Sequence, residues 1–290
     1  DDERFSDALN AVKELGFIQL RGKIRGIGSP AKITTDPADA IHGAEAIFVH
    51  VPSDRHEEIA RRIAPYVEDG QHILIIPGNL GSFIFRKVFQ EMGVTAKVTL
   101  TEKEGNFCPC RLTAPAEVTV GMPLNLKGKV ASLPASDTER VLKALEGVVE
   151  YSANQNVFEG VINAGNVINH VASTVLSTAE IDHKGDKYSL FKYAFTPSVV
   201  HCIRKIAAER CAVIEAMGMT VHGVPTGMID KVLDLENHPE VHTFYEYMDG
   251  PNAIDHRYLH EDCSCGSACN SASTLPQSSM AVAAAESPAS

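Results

Sequence analysis

The sequence is poor in positive charge. Its 290 residues carry 26 Lys and Arg against 37 Asp and Glu, a formal net charge of −11. A basic face able to neutralise phosphates is not expected, so nucleic acid and anionic membrane are set aside as partners. Long apolar runs are also lacking: no stretch reaches the roughly 18 uninterrupted residues of a spanning helix. The start, at Asp1, shows no basic-then-apolar leader. The seven cysteines (108, 110, 202, 211, 263, 265 and 269) are odd in number. They make a poor disulfide framework and fit a reducing, cytoplasmic setting. Cys263, Cys265 and Cys269 cluster behind His256 and His260. Their spacing lacks the matched pairs of a zinc site, so reduced thiols and no metal are expected. A Gly-x-Gly-x-x-Gly turn after a first buried strand is missing too; Gly22, Gly26 and Gly28 do not form one. Taken alone this weakens a nicotinamide reading. The alternative expectation is that a first βα unit lies upstream of Asp1, which predicts weak NAD(P)H binding by these residues.

What is present is a globular composition, 44% apolar and 22% charged, of a size that suggests two domains. Phe5, Leu9, Val12 and Leu15 share a helix face, and Ile18 and Leu20 alternate as a short strand. Asp36-Pro37 is an N-cap followed by a first-turn proline. Ala46 to Val51 reads as a buried strand ending at Pro52, with Ser53 or Asp54 as the cap of the next helix. His72 to Ile76 is a second buried strand, stopped by Pro77-Gly78-Asn79, and a helix with Phe83, Val88 and Met92 follows. Residues 97–120 read as β again, and Asp137 as the cap of another helix. Residues 156–182 read as one long helical pattern, and Thr196-Pro197 opens a helix that Gly218 stops. Shorter helical stretches fall near 225–234 and 239–248, and the tail from Ser271 is rich in Ser and Ala.

Buried strands alternating with amphipathic helices predict a parallel sheet with crossover helices. The fold class expected is α/β: a partial Rossmann-like domain over residues 1–152, then an all-α substrate domain over 153–290. Ligands of such sheets lie beyond the C-terminal strand ends. Those ends are Val51 and Pro52, and Pro77, Gly78 and Asn79; each is equally plain turn chemistry.

Two polar constellations stand out. Asn163, Asn166 and His170 interrupt an apolar helical pattern, with Asn166 and His170 one turn apart on one face. Downstream, Gly250-Pro251 precedes His256-Arg257-Tyr258-Leu259-His260-Glu261-Asp262. An arginine fork suits a carboxylate, and an aspartate suits the orientation of a histidine. A buried structural histidine and a solvated charged loop remain the ordinary readings of these two stretches.

Together with Gly16 to Gly22, Val51-Pro52 with His56-Glu57-Glu58, Gly70, Pro77-Gly78-Asn79, Cys110-Arg111, Leu133-Pro134-Ala135, Thr196-Pro197-Ser198 and Glu209-Arg210, these stretches resemble the opine dehydrogenases, the octopine/nopaline dehydrogenase group. The resemblance covers about residues 1–265. It implies an oxidoreductase using NAD or NADP, with a helical domain of the 6-phosphogluconate-dehydrogenase-like type. The implied reaction condenses an amino acid with a 2-oxo acid such as pyruvate through an imine. It also implies His170 as general acid/base, Asp262 as its orienting partner, Asn166 as a positioning residue and Arg257 as a carboxylate ligand. The implied partners are these small molecules, and a homodimer is compatible with the pattern. Two other readings stay open: a homologue that binds a metabolite without turnover, and a 2-hydroxy-acid dehydrogenase of the ketopantoate-reductase type. The second usually places a lysine where the Asn-x3-His helix has none.

Overall fold

The computed structural model describes residues 6–108, 110–120, 127–184, 188, 193–222, 237 and 283–285. Helix α1 (Ser6–Leu15) leads into strands β1 (Ile18–Gly22) and β2 (Gly26–Gly28). Helix α2 (Pro37–Ile41) is capped as its sequence predicts, the Asp36 side chain accepting from the Ala38 amide. Then come β3 (Ala46–Val49), α3 (His56–Ile63), β4 (His72–Ile75), α4 (Gly81–Glu91) and β5 (Thr99–Lys103). Strands β6 (Cys110–Ala114), β7 (Glu117–Val120) and β8 (Lys129–Leu133) precede α5 (Thr138–Ala144) and β9 (Ser152–Ala153). From there to Ala216 the described elements are helices: α6 (Val157–Asn163), α7 (Asn166–Leu176), α8 (Thr178–Lys184) and α9 (Pro197–Ala216). A short strand β10 (Ala283–Ala285) completes the described elements.

The main sheet has the order β10-β3-β4-β5-β8-β9. Its centre, β3-β4-β5, is parallel, with α3 and α4 as crossovers, as alternating strands and helices require. Beyond β5 the sheet turns antiparallel at β8. Period-two alternation places Ile47, Val49, Ile73 and Ile75 against α3 and α4, where Ala60, Ile63, Phe85, Val88 and Phe89 complete one core. Ala46, Phe48, Leu74 and Ile76 face the other way, onto Val141, Leu145 and Val149.

Several local expectations change. Strands β1, β2, β6 and β7 form a separate four-stranded sheet, so the β stretch of residues 97–120 is divided between two sheets. Gly26 and Gly28 do not follow a buried strand, as the sequence reading has it; they lie in the exposed strand β2. Neither Ser53 nor Asp54 caps α3: a 3-10 turn, Ser53–Arg55, intervenes, and no side chain caps the helix. Asp137 stands before α5 without capping it and pairs instead with Arg140 at 3.5 Å. The pattern of residues 156–182 is three helices, because Ala164 turns extended after α6 and Ser177 separates α7 from α8. Thr196 caps α9 and Gly218, at φ 70, ends it, as predicted. The helical stretches at 225–234 and 239–248 and the cysteines at 263, 265 and 269 lie outside the described residues. Among the described residues no helix is long and apolar enough to cross a membrane. No group of three His, Cys, Asp or Glu side chains there could hold a metal.

Candidate active site at the sheet edge and the histidine helix

The parallel strands β3, β4 and β5 all end on one edge, and the chain turns there in two places. Val51 is buried before Pro52, and Pro77 and Gly78 are buried after β4. Asn79 and Leu80 follow with left-handed backbone, at φ 47 and φ 63. The Asn79 amide donates to the Ser53 hydroxyl at 2.8 Å, which ties the two turns to each other. Gly78 is required: a Cβ there would lie 2.4 Å from the Cβ of Glu102. Glu102, at the end of β5, explains that closeness. Its carboxylate accepts from the Leu80 amide and the Ser82 amide, each at 2.9 Å, and from the Ser82 hydroxyl. It thereby satisfies the first turn of α4. Burial pushes its carboxyl up, and the three donors offset that in part.

Sequence reasoning missed the next two residues. Lys103 is 1% exposed. Its ammonium donates to the carbonyls of Glu104, Gly105 and Asn106 at 2.9, 3.4 and 3.0 Å, so the loop wraps its own charge. Burial draws it down to about 8, against the opposing pull of Glu104. Burial likewise holds His50 at about 4, helped by the Lys103 charge. The signal was available as three consecutive charges, Glu102-Lys103-Glu104, closing an otherwise strand-like run.

Glu104 joins this edge to the helices. Its Oε2 lies 2.9 Å from His222 Nδ1 and accepts from the Asn154 amide at 3.3 Å. Glu159 on α6 accepts from the Thr220 amide at 2.8 Å. Asn163 donates to the carbonyls of Glu159 and Thr220, both at 2.9 Å, and accepts from the His222 amide at 2.8 Å. Asn163 is therefore engaged in holding residues 220–222 against α6. It does not share a helix with His170, contrary to the single pattern read in the sequence. A cavity of about 10 Å³, the size of a single water, lies at this seam, lined by Asn79, Glu102, Lys103, Glu104, Asn154 and Gly160 among others.

Asn166 begins α7, and His170 lies one turn further along it. The other face of α7 packs Ile168 and Ala172 onto Val200, Ile203 and Ala207 of α9. Burial holds the His170 imidazole down to about 4, so it is neutral at ordinary pH and able to accept a proton. Arg257 and Asp262, expected beside it, lie outside the described residues.

Residues 153–272 match the family described as NAD/NADP octopine/nopaline dehydrogenase, alpha-helical domain. The opine dehydrogenase of Arthrobacter sp. (strain 1C) is 29% identical over 274 residues, 89% of this chain and 73% of that protein. An octopine dehydrogenase solved with NADH and L-arginine superposes with a TM-score of 0.54 at 21% identity. That match covers 73% of this chain and 56% of that one, so the chain spans a little over half of that structure's length. A ketopantoate reductase from Ralstonia eutropha JMP134 has a TM-score of 0.51 at 14% identity, covering 92% of this chain and 87% of that one. The structural likenesses establish a Rossmann-like α/β fold joined to a helical part. Over most of its length this chain is similar to an opine dehydrogenase, and its residues 153–272 match the helical-domain model of the octopine/nopaline dehydrogenases.

Proposed function

We propose that the protein is an NAD(P)H-dependent oxidoreductase of the opine dehydrogenase type, working in the cytoplasm. It would reduce the imine formed between an amino acid and a 2-oxo acid such as pyruvate. The observation that carries this reading is His170: a neutral imidazole on the helix that opens at Asn166, within the segment matched to the octopine/nopaline dehydrogenase helical domain.

The residues fit the nicotinamide cofactor in part. The turns at Val51-Pro52 and Pro77-Gly78-Asn79 share one strand-end edge and are fixed to each other through Asn79 and Ser53. They would hold the ring end of the dinucleotide. A helix N-terminus behind a glycine turn, which would hold the pyrophosphate, is not among the described residues. When bound, the cofactor supplies hydride. The chain's own part is to bind, orient and move protons. His170 would pass a proton between solvent and the substrate nitrogen or oxygen at its ring, with Asp262 fixing its tautomer. Asn166 would position the substrate, and Arg257 would take a substrate carboxylate in its planar fork. Positioning of the two substrates together would supply much of the rate.

The test is consumption of NADH or NADPH by the protein with paired and single substrates, with products identified by mass spectrometry. A secondary amine that contains both the amino acid and the 2-oxo acid is the expected product. Reduction of the 2-oxo acid alone to a hydroxy acid would favour the ketopantoate-reductase-like reading, whose fold the chain shares. Binding without turnover of any pair would favour the non-catalytic one.

A further inference from the structure

Cys108 and Cys110 are separated by Pro109 alone. Both are reduced and half-buried, and their thiols hydrogen-bond to each other. They stand where the chain passes from one sheet to the other. Strand β5, ending at Lys103, belongs to the six-stranded sheet, and β6, beginning at Cys110, to the four-stranded one. Each sulfur is held from its own side. Next to Cys108, the Phe107 ring meets His50 at 5.3 Å, and Phe48 and Tyr151 at 6.3 Å, at the end of the main sheet. Cys110 stands opposite Val120 in the β6–β7 ladder. The Cα atoms of residues two apart lie within about 7 Å of each other. A disulfide spans roughly 4.4–6.8 Å between Cα atoms. Two anchors thus hold a pair of thiols side by side, and the function proposed above makes no use of them.

We propose that Cys108 and Cys110 form a peroxide-sensitive dithiol that closes to an intramolecular disulfide at the crossing between the two sheets. The oxidant is a hydroperoxide, in the simplest case hydrogen peroxide. The Cys110 sulfur, as thiolate, attacks one peroxide oxygen and the O–O bond breaks. The departing hydroxide becomes water with the proton that Cys110 gave up, and Cys110 is left as a sulfenic acid. The Cys108 sulfur then attacks the Cys110 sulfur. The S–S bond forms, the S–O bond breaks, and the second hydroxide leaves as water with the Cys108 proton. Two thiols have lost two electrons and two protons, and the peroxide has been reduced to two waters. The order follows from the contact between the thiols. The hydrogen bond to Cys110, burial and the Cys110 charge all hold the Cys108 thiol above its ordinary range, so of the two Cys108 keeps its proton. A reactive thiol within reach of solvent and beside a resolving one is the arrangement of redox-sensing cysteines. The inference stands on the pair itself and does not depend on the opine reading.

The full protein, reduced and then freed of reductant, tests it with an equimolar amount of hydrogen peroxide, followed by iodoacetamide, trypsin and mass spectrometry. Trypsin cuts after Lys103 and Arg111, so residues 104–111 leave as one peptide with both thiols and no other cysteine. That peptide is expected to be lighter by two hydrogen atoms, unalkylated and restored by dithiothreitol, while Cys202 and Cys211 of α9 still take the alkyl group. In Cys108→Ser, dimedone should label Cys110; in Cys110→Ser, Cys108 should remain an alkylatable thiol. The native chain should form the bond severalfold faster than the chain unfolded in urea. Full alkylation of both thiols at every dose up to one that oxidises Cys202 or Cys211 overturns the proposal. So does a sulfinic acid on one thiol beside an alkylated partner, a disulfide from either to another cysteine, or equal rates in native and unfolded chain. If a serine variant fails to fold, the wild-type digest and its comparison with the unfolded chain decide alone.

Discussion

The sheet half and the helical half of this molecule hold their functional residues by different means. In the first, Pro77, Gly78 and Asn79 sit at the end of a strand hydrogen-bonded on both sides and buried on both faces. Their position is set by the backbone ladder and locked by Glu102. In the second, His170 rides on a helix of 11 residues packed through one apolar seam with α9. Its position is set by side-chain packing and by Arg210 of α9, which donates to the Asn163 and Ala164 carbonyls at the joint between α6 and α7. The site proposed between the halves would therefore be rigid on its cofactor-facing side and adjustable on its proton-transfer side.

The largest effect that sharpens this contrast is on chemistry. His170→Ala is expected to lower turnover by roughly 10²–10⁴-fold, the usual worth of a general acid/base, while the melting curve changes little. Steady-state rates with saturating substrates check it, and a rate within twofold of wild type would remove His170 from the mechanism. The second test compares two fully buried isoleucines, Ile75 of β4 and Ile203 of α9. Truncation to alanine should cost about 2–5 kcal/mol at either place by urea unfolding. Ile203→Ala should in addition lower turnover about tenfold where the fold is intact, through displacement of α7. Equal loss of turnover in both variants would break the comparison.

The third test uses acid. His56 is 0% exposed, and burial holds it at about 4 against an ordinary value of 6.5, with Asp54 opposing. The unfolded chain therefore binds the proton first as pH falls. The stability from keeping this imidazole neutral is complete above about pH 6.5. It is lost as pH drops toward 4, by on the order of 3 kcal/mol. His56→Phe should flatten part of that slope in unfolding titrations; an unchanged slope assigns the acid loss elsewhere. The smallest effect is at the seam. Glu104→Gln should cost about 1–2 kcal/mol. A double-mutant cycle with His222→Gln should show the two residues coupled, and additive losses would mean that the pair does not join the halves.

Much of the sheet half could be read directly. Apolar runs closed by a nearby proline mark β3 and β4, and the caps at Asp36 and Thr196 are visible because each is a small polar residue before proline. The break at Ala164-Gly165 was not visible. Apolar residues keep a helical period from Val157 through Ile168, and no proline marks the interruption; a backbone turn held by Arg210 decides it. The assignment of β6 and β7 to a second sheet rests on long-range pairing with β1, which local pattern does not encode. Ser53 was misjudged as a cap because its hydroxyl is claimed by Asn79, 26 residues away. Charges at a strand end read as solvated, so Lys103 and Glu104 do not stand out in the sequence; the burial of Lys103 and the half-burial of Glu104 are properties of the assembled seam.

The bond between Glu104 and His222 spans 118 residues of chain. Closing so long a loop becomes worthwhile only after each half has structure of its own to present. The seam is thus expected to be the last part to form during folding and the first to open. The amides of Thr220 and His222, which donate to α6 beside it, should then exchange with solvent earlier than those of β4.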